Sequence, residues 1–269
     1  NGAPAFHARI FRPGMGFGRG NTRLPSGSDA DDRWSIGQGG FRGDWLPPSG
    51  PSIMLQGNFY DSRAAQVAPG DRNADGQNLI GRWTQPLPGG SDFRVQMYWD
   101  RTRRQIPNSI TEVLNIYDIE FDYRFVLGER HKFVWGGGYR FMHDDVTNPA
   151  TFAFLPARRD LHLYSGFLQD QITLLRDRLF LTLGSKFEHN SFSGFEFQPS
   201  ARLAWHAAPN QTIWTAVSRA VRTPSRIDSE AFIPATPPFL LVGSGSKYES
   251  EVVIGYELGY RPELADRLC

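Results

Sequence analysis

Two groups of closely spaced arginines are the side chains of this sequence best suited to hold a charged molecule. They are Arg101, Arg103 and Arg104 in the first group and Arg219, Arg222 and Arg226 in the second. A guanidinium carries several N–H donors in one plane and forms charge-assisted hydrogen bonds with anions. Either group could therefore bind an anionic ligand, or it could pair with carboxylates of the same chain.

Four phenylalanines in proline-rich segments could supply an apolar contact for such a ligand. They are Phe152, Phe154, Phe232 and Phe239. Ligand sites commonly combine aromatic rings with a small number of polar groups. These rings could equally pack their segments against each other, so the sequence leaves both roles open.

Patterns for enzyme chemistry are weak. Residues 14–20 (GMGFGRG) contain a nominal GxGxG run, but no strand-then-helix pattern surrounds it, which favours a flexible loop over a phosphate-binding loop. The six histidines are scattered without metal-ligand spacing, and the single cysteine is Cys269. An acidic pair such as Asp118 with Glu120 is more typical of a solvated wall than of a catalytic dyad. The sequence therefore predicts no enzyme, no bound metal and no cofactor.

The composition favours strands and turns over helices. The 269 residues include 20 Phe, 9 Tyr and 7 Trp, together with 28 Gly and 19 Pro. The 29 basic and 28 acidic residues are mixed along the chain, which argues against a nucleic-acid partner. No apolar run approaches the roughly 20 residues of a membrane helix. A membrane β-barrel is compatible with this, because only every second side chain of its strands faces lipid.

Alternation of apolar and polar residues is the strongest structural signal. In residues 113–125 the odd positions are mostly apolar and the even positions are mostly charged. The same period recurs and predicts about twelve strands, near residues 5–12, 33–45, 52–61, 78–87, 92–102, 112–126, 131–143, 160–173, 178–190, 195–206, 211–221 and 249–261. Most of these have the length of a tilted membrane strand.

The connections alternate between short turns and longer segments. The short turns are near residues 46–50, 88–91, 127–130, 176–177 and 207–210, and the longer segments are near 13–32, 62–77, 103–111, 144–159 and 223–248, with 191–194 as a short exception. Short turns on one rim and long loops on the other are typical of an outer-membrane barrel, whose long loops face outward. The arginine groups and the four phenylalanines are then expected at the outer rim.

A soluble β-sandwich or propeller would also contain many short strands. Two features disfavour it. A charged face recurs in strand after strand, and aromatic residues such as Trp45, Trp99 and Trp205 lie near predicted strand ends, as in the aromatic girdles of barrels. The predicted fold is therefore all-β, a transmembrane antiparallel up-and-down β-barrel.

Three consecutive segments resemble the barrel of TonB-dependent outer-membrane receptors. They are residues 183–190 (LGSKFEHN), 195–205 (FEFQPSARLAW) and 213–226 (IWTAVSRAVRTPSR), and residues 164–175 and 248–262 resemble the flanking strands. The resemblance implies a barrel of about 22 strands that is plugged by an N-terminal domain. Because about twelve strands are predicted here, we expect residues 1–269 to be an internal part of the barrel, without the plug and the C-terminal strands.

The resemblance also implies a function in the outer membrane of a Gram-negative bacterium. It implies uptake of a scarce nutrient that is energised by the TonB complex through the plug. A ferric siderophore or a similar metal chelate is the expected ligand, although haem, cobalamin and oligosaccharides are compatible with these loops. A passive porin and a barrel-borne surface hydrolase are the alternative functions.

The expected ligand contacts lie on the external loops and the upper lumen. They are Arg101, Arg103, Arg104, Arg222, Arg226, Phe152, Phe154 and Phe232. Outer-membrane lipid and lipopolysaccharide are further expected partners. Lipopolysaccharide phosphates and lumen carboxylates are alternative partners for the arginines.

Overall fold

The computed structural model describes residues 5–11, 17–66, 70–245 and 248–262, with side chains from residue 17 onward. In these residues the strands are β1 (Ala5–Phe11), β2 (Phe17–Arg19), β3 (Trp34–Leu46), β4 (Ser52–Ala64), β5 (Arg72–Leu87), β6 (Ser91–Ile106), β7 (Ile110–Leu127), β8 (His131–Thr147), β9 (Ala153–Phe154), β10 (Arg158–Leu175), β11 (Leu179–Asn190), β12 (Gly194–Ala208), β13 (Gln211–Arg222), β14 (Ala231–Ile233), β15 (Val242–Gly243) and β16 (Glu251–Pro262). A single turn of 3-10 helix covers Pro88–Gly90, and a short helix, α1, covers Arg226–Glu230. Residues 14–16 of the glycine-rich segment and Cys269 lie outside the described residues.

The long strands form one antiparallel meander in which each pairs with the next long strand along the chain. Its order is β1-β3-β4-β5-β6-β7-β8-β10-β11-β12-β13-β16, and the short β2 pairs with β3. These twelve long strands are the twelve that the alternation predicts, and the topology confirms the predicted up-and-down fold. Within the described residues β1 and β16 each pair along one edge, so the sheet is not closed into a barrel.

The register places the apolar and the polar residues of each strand on opposite faces of the sheet. Asp118 of β7 pairs with Tyr98 and Arg140, whereas Tyr117 pairs with Trp99 and Phe141. Successive side chains of a strand point to opposite sides of the sheet, so one alternation in the sequence produces two chemically different surfaces. We call these the polar face and the apolar face.

The apolar face is exposed along its whole length. Its large side chains include Leu55, Leu79, Met97, Ile119, Leu168, Leu183, Leu203 and Leu258. Aromatic rings lie toward both ends of this face, Trp45, Trp83, Phe93, Tyr123, Phe133 and Trp205 on the side of the short turns and Phe59, Trp99, Tyr117, Phe141, Tyr164 and Phe195 on the other side. We call these sets the turn-side belt and the loop-side belt. Such a surface suits the hydrocarbon of a bilayer with an interface at each end.

The polar face is cross-linked by ion pairs between neighbouring strands. Arg94 Nε lies 2.6 Å from Asp122 Oδ2, and Arg140 Nε lies 2.7 Å from Asp118 Oδ2. Lys186 Nζ lies 2.7 Å from Glu188 Oε1 within β11. This face therefore presents a hydrated and nearly charge-balanced wall.

The two rims differ as the sequence predicts, with two corrections. The turn-side rim has tight turns that use left-handed backbone at Gly128 (φ 63°) and Asp177 (φ 58°). On the other rim, the predicted loop 103–111 is a three-residue turn, 107–109, and the predicted loop 62–77 shrinks to 65–71. The strands continue beyond the loop-side belt, where both faces meet water. Polar residues then occupy both faces, and the alternation that marks a strand is lost.

Residues 148–157 and 223–245 fold together over the loop-side rim. They contribute the small antiparallel sheet β15-β14-β9 and the helix α1. Val146, Phe154 and Ala231 form a buried apolar cluster beneath them, flanked by Ile110 and Phe152. None of the helices in the described part of the chain is long and apolar enough to span a bilayer.

Candidate functional site

The strand register divides the first arginine group between the two faces. Arg101 and Arg103 pair with Asn115 and Val113 on the apolar face, above the loop-side belt. Arg104 follows Arg103 directly in β6, so its side chain points to the opposite, polar face. The sequence brings these three side chains to one strand end, but only Arg104 lies on the polar face.

Arg104 borders an open pocket at the loop-side ends of β3 to β6. This rim pocket has a volume of about 410 Å³ and its lining includes Trp34, Ile36, Ser62, Ala74, Arg104 and Ile106. The exposed guanidinium forms no hydrogen bond or ion pair with the described residues, and its register partner on β7 is the carboxylate of Glu112. The pocket therefore combines an available cation with an apolar wall.

Arg226 has the opposite situation, because its guanidinium is buried and fully engaged. Its Nε lies 2.8 Å from Glu230 Oε2, and its Nη1 lies 2.7 Å from Asp144 Oδ2. Its Nη2 donates to the carbonyl oxygen of Pro156, and its Cζ lies 4.7 Å from the centre of the Phe154 ring. We call this set the loop tie, because it joins residues 148–157 and 223–245 to the end of β8.

A second cation completes the loop tie. Arg159 Nε lies 2.9 Å from Glu230 Oε1, so Glu230 is held by two arginines. Asp144, Glu230 and Arg226 are 5%, 6% and 7% exposed, which makes this a buried ionic network. Reasoning from the sequence missed Asp144, Arg159 and Glu230, although the Asp-Asp and Arg-Arg pairs that flank residues 146–157 mark both ends of this loop.

The remaining arginines of the second group are held separately. Arg222 Nη1 lies 2.8 Å from Glu251 Oε1, and its Nη2 lies 3.5 Å from Asp228 Oδ2. Arg219 donates to the carbonyl oxygen of Phe197. These contacts attach β13 and α1 to their neighbours.

The four loop phenylalanines form two pairs. Phe152 and Phe154 meet edge to face at a centroid distance of 5.0 Å, and Phe154 is buried in the loop cluster. Phe232 and Phe239 are 4.6 Å apart and more exposed. Phe152 and Phe154 thus pack the loops together, which is one of the two roles that the sequence leaves open.

Two loop carboxylates have perturbed pKa values. The Ser225 backbone N–H and hydroxyl both donate to Asp228 Oδ2 at 2.8 Å, which lowers the pKa of Asp228 below its usual 3.8. Ser225 caps α1 in this arrangement. Hydrogen bonds from the Thr22 backbone N–H and hydroxyl likewise lower the pKa of Asp32 in the loop before β3. Both carboxylates are therefore ionised at neutral pH and fix the conformation of their loops.

No group of three His, Cys, Asp or Glu side chains within the described ranges is arranged to hold a metal ion. The loop-side rim has features suited to ligand binding. The rim pocket combines apolar side chains with Arg104, and the loop tie holds the two neighbouring loops together.

Comparison with solved structures finds the same architecture in bacterial receptors. The siderophore receptor PirA from Pseudomonas aeruginosa matches with a TM-score of 0.70 and 14% identity, over 87% of this chain and 44% of that chain. A mutant of the ferric enterobactin receptor PfeA from the same organism, in complex with enterobactin, matches with a TM-score of 0.69 and 11% identity, over 91% and 42%. The copper transporter OprC matches with a TM-score of 0.65 and 14% identity, over 90% and 45%.

The chain thus spans less than half the length of these structures. No match is found among curated proteins. A family model described as TonB dependent receptor-like, beta-barrel matches residues 6–268. Proteins of that family are transport receptors of the Gram-negative outer membrane and not enzymes. The chain therefore belongs to the TonB-dependent receptor family and carries sequence of its outer-membrane β-barrel.

Proposed function

We propose that the whole protein takes up a scarce nutrient across the outer membrane as a TonB-coupled receptor, and that its ligand is a ferric siderophore or a similar metal chelate. The family and the siderophore and copper receptors of similar fold support this proposal. In the complete protein a plug fills a barrel of about 22 strands, of which this chain supplies twelve. The TonB complex is the partner that displaces the plug.

The observation that carries the ligand proposal is the exposed Arg104 at the rim pocket, which forms no hydrogen bond or ion pair with the described residues. Chelates that bind a metal through oxygen atoms commonly carry net negative charge. The Arg104 guanidinium interacts electrostatically with Glu112 but forms no hydrogen bond or ion pair with the described residues, so it can accept such a ligand without breaking one. Trp34, whose ring is 41% exposed at the same pocket, offers an apolar surface for the rest of the ligand.

The polar face below the rim pocket and the loop tie beside it define the path of the ligand in this proposal. Below the rim pocket the polar face continues as a wall of ion pairs toward the turn-side rim, and it provides a wet path for a charged molecule. The loop tie keeps residues 148–157 and 223–245 together, so in this proposal they bound the entrance as one body. The barrel then needs no covalent chemistry. In this proposal the rim pocket selects the ligand, and the TonB complex supplies energy by displacing the plug.

Equilibrium binding of a panel of ferric chelates to the whole purified protein tests this proposal. Arg104→Gln removes the positive charge and keeps a shorter polar side chain. The matched control is Arg124→Gln, a loss of the same charge on the same strand face but at the turn-side rim, where Arg124 Nε lies 3.2 Å from Asp122 Oδ1. Hydrogen bonds to charged groups contribute about 1.5–3 kcal/mol, so we expect the Kd of Arg104→Gln to rise about ten-fold or more.

The control should bind like the unmodified protein. Unchanged affinity in Arg104→Gln would place the ligand elsewhere in the receptor. Failure of every metal chelate to bind the unmodified protein would contradict the proposed substrate class itself.

A further inference from the structure

A groove crosses the apolar face below the first arginine group. This lateral groove has a volume of about 450 Å³, and its lining includes Leu55, Leu79, Gly81, Met97, Tyr117 and Ile119. Gly81 leaves the space open, because a Cβ atom there would meet only Leu55 Cδ1, at 3.9 Å. The groove lies between the two aromatic belts, so in the outer membrane it faces lipid chains.

The loop-side end of the groove leads directly to two cations. Trp99 lines this end, and Arg101 and Arg103 follow it on the same face of β6. Neither arginine forms a hydrogen bond or an ion pair with the described residues. They lie above the loop-side belt, at the level where lipid headgroups meet an outer-membrane protein.

Two other basic side chains at this level of the apolar face, Arg158 and His143, already have partners. Arg158 Nε lies 3.0 Å from Asp145 Oδ2, and His143 Nδ1 lies 2.6 Å from Asp160 Oδ1. Asp75 pairs with Arg103 in the strand register, but no ion pair of 4.0 Å or less joins their side chains. Arg101 and Arg103 are therefore two available positive charges beside an apolar groove.

We propose that Arg101, Arg103 and the lateral groove together bind one phosphate-bearing lipid of the outer leaflet. An acyl chain occupies the groove beside Gly81, and the lipid phosphate accepts hydrogen bonds from the two guanidinium groups. Arginine suits this role because its planar donors bind phosphate oxygens in pairs and it is more weakly hydrated than lysine. A free phosphate would leave the groove empty, whereas a lipid satisfies both parts of the site.

The lipid site is separate from the rim pocket. Arg104 is on the polar face of β6, and Arg101 and Arg103 are on the apolar face, so the proposed nutrient and the lipid do not compete for a side chain. Loss of lipid binding and loss of chelate binding are therefore distinguishable in the same protein.

The test uses the whole protein, purified in a mild detergent, delipidated and titrated with purified lipid A under native mass spectrometry. The double variant Arg101→Gln/Arg103→Gln removes the cations, and Gly81→Leu fills the groove. Arg158→Gln is the matched control, since it removes a cation that already has a partner on the same face. We expect one tightly bound lipid A, an affinity about ten-fold lower in both test variants and no change in the control.

Two further titrations test whether the site needs both the phosphate and the acyl chain of the lipid. Resistance to unfolding in cold SDS establishes that each variant is folded. Lipid A without phosphate groups should bind about ten-fold more weakly than lipid A. Inorganic phosphate should not displace lipid A at equal concentration. The proposal is overturned if folded test variants bind lipid A like the unmodified protein, or if the dephosphorylated lipid binds equally well. Equal binding of inorganic phosphate to the unmodified protein and to Gly81→Leu would reduce the site to an anion contact.

Discussion

Arg226 illustrates how far residue type alone can indicate function. Its place in the second arginine group predicts a ligand contact, whereas the structure has its three guanidinium nitrogens on Glu230, Asp144 and a backbone carbonyl group. A buried guanidinium is tolerated only when its donors are satisfied. Glu230 is four residues away, but Asp144 and Pro156 lie 82 and 70 residues away in the chain, so no local pattern could have identified these two partners.

Arg226→Met should therefore open the loops. The substitution keeps most of the side-chain volume but leaves Asp144 and Glu230 buried, with Arg159 as the remaining ion-pair partner of Glu230. Breaking a buried ion pair by removing one partner typically costs about 3–5 kcal/mol. We expect hydrogen exchange in residues 148–157 and 223–245 to accelerate by more than a hundred-fold, while β3 to β8 keep their protection.

The control for this experiment is Arg158→Met. Arg158 pairs with Asp145 where the two side chains are 76% and 40% exposed, and such surface pairs contribute at most about 1 kcal/mol. Equal protection in Arg226→Met and Arg158→Met would show that the loop tie does not hold the loops.

Asp228 should make the same loop sensitive to acid. Its pKa is lowered in the folded state, so its contribution to stability is present above the usual value of 3.8 and is lost as the pH falls through the lower, folded-state pKa. Cleavage by pepsin within residues 223–245, normalised to an unfolded substrate, should increase in that acid range. Asp228→Ala should be cleaved readily throughout the range in which pepsin is active, and a pH profile identical to that of the unmodified protein would refute the role of this carboxylate.

At the scale of elements, the strands were the most predictable part of the molecule. Between the belts one face meets lipid and the other meets water, and the sequence must alternate there. Above the loop-side belt this constraint ends, which is why the ends of β6 and β7 near residues 103–111 look like a loop in the sequence. The helix α1 was missed because five residues are too few for helical periodicity, although the Ser225-x-x-Asp228 spacing is a capping signal.

Gly136 in β8 tests how closely the strand pairing depends on small residues. A Cβ atom at this position would lie 2.8 Å from Phe167 Cε1 and would also collide with the Phe121 carbonyl oxygen. Gly136→Ala should therefore destabilise the folded whole protein by about 1–3 kcal/mol. The urea midpoint, followed by the mobility shift of the folded barrel in SDS gels, measures this effect.

Gly166→Ala is the matched control for Gly136. Its Cβ atom would lie 3.8 Å from the carbonyl oxygen of Gly136, which is an ordinary contact. Equal midpoints for the two variants would mean that the strands adjust without cost at Gly136.

At the scale of the whole molecule, the sheet reverses the usual distribution of polarity. Its exposed face is apolar, its interior face is charged, and the buried cluster of the described residues lies under the loops. The sequence located the candidate arginines at the correct rim. It could not assign Arg104 to a pocket or Arg101 to the opposite face, because this depends on register and on neighbouring strands.

The open edges lead to a prediction for the isolated chain. β1 and β16 each present an edge without a strand partner among the described residues. Exposed edges promote association between chains, and in a bilayer they leave backbone groups without hydrogen bonds. The 269-residue chain alone should therefore aggregate in detergent, as judged by size-exclusion chromatography. A monodisperse monomer with channel or hydrolase activity would favour a small complete barrel instead.

We propose that the whole protein imports a metal chelate with energy supplied through TonB. Uptake of chelates labelled with radioactive iron, by cells that carry or lack the protein, tests it most directly. We predict uptake that requires the protein and falls to background when the TonB system is deleted or the proton gradient is collapsed. Uptake that depends on the protein but persists without TonB and without the gradient would identify a passive pore and contradict the account.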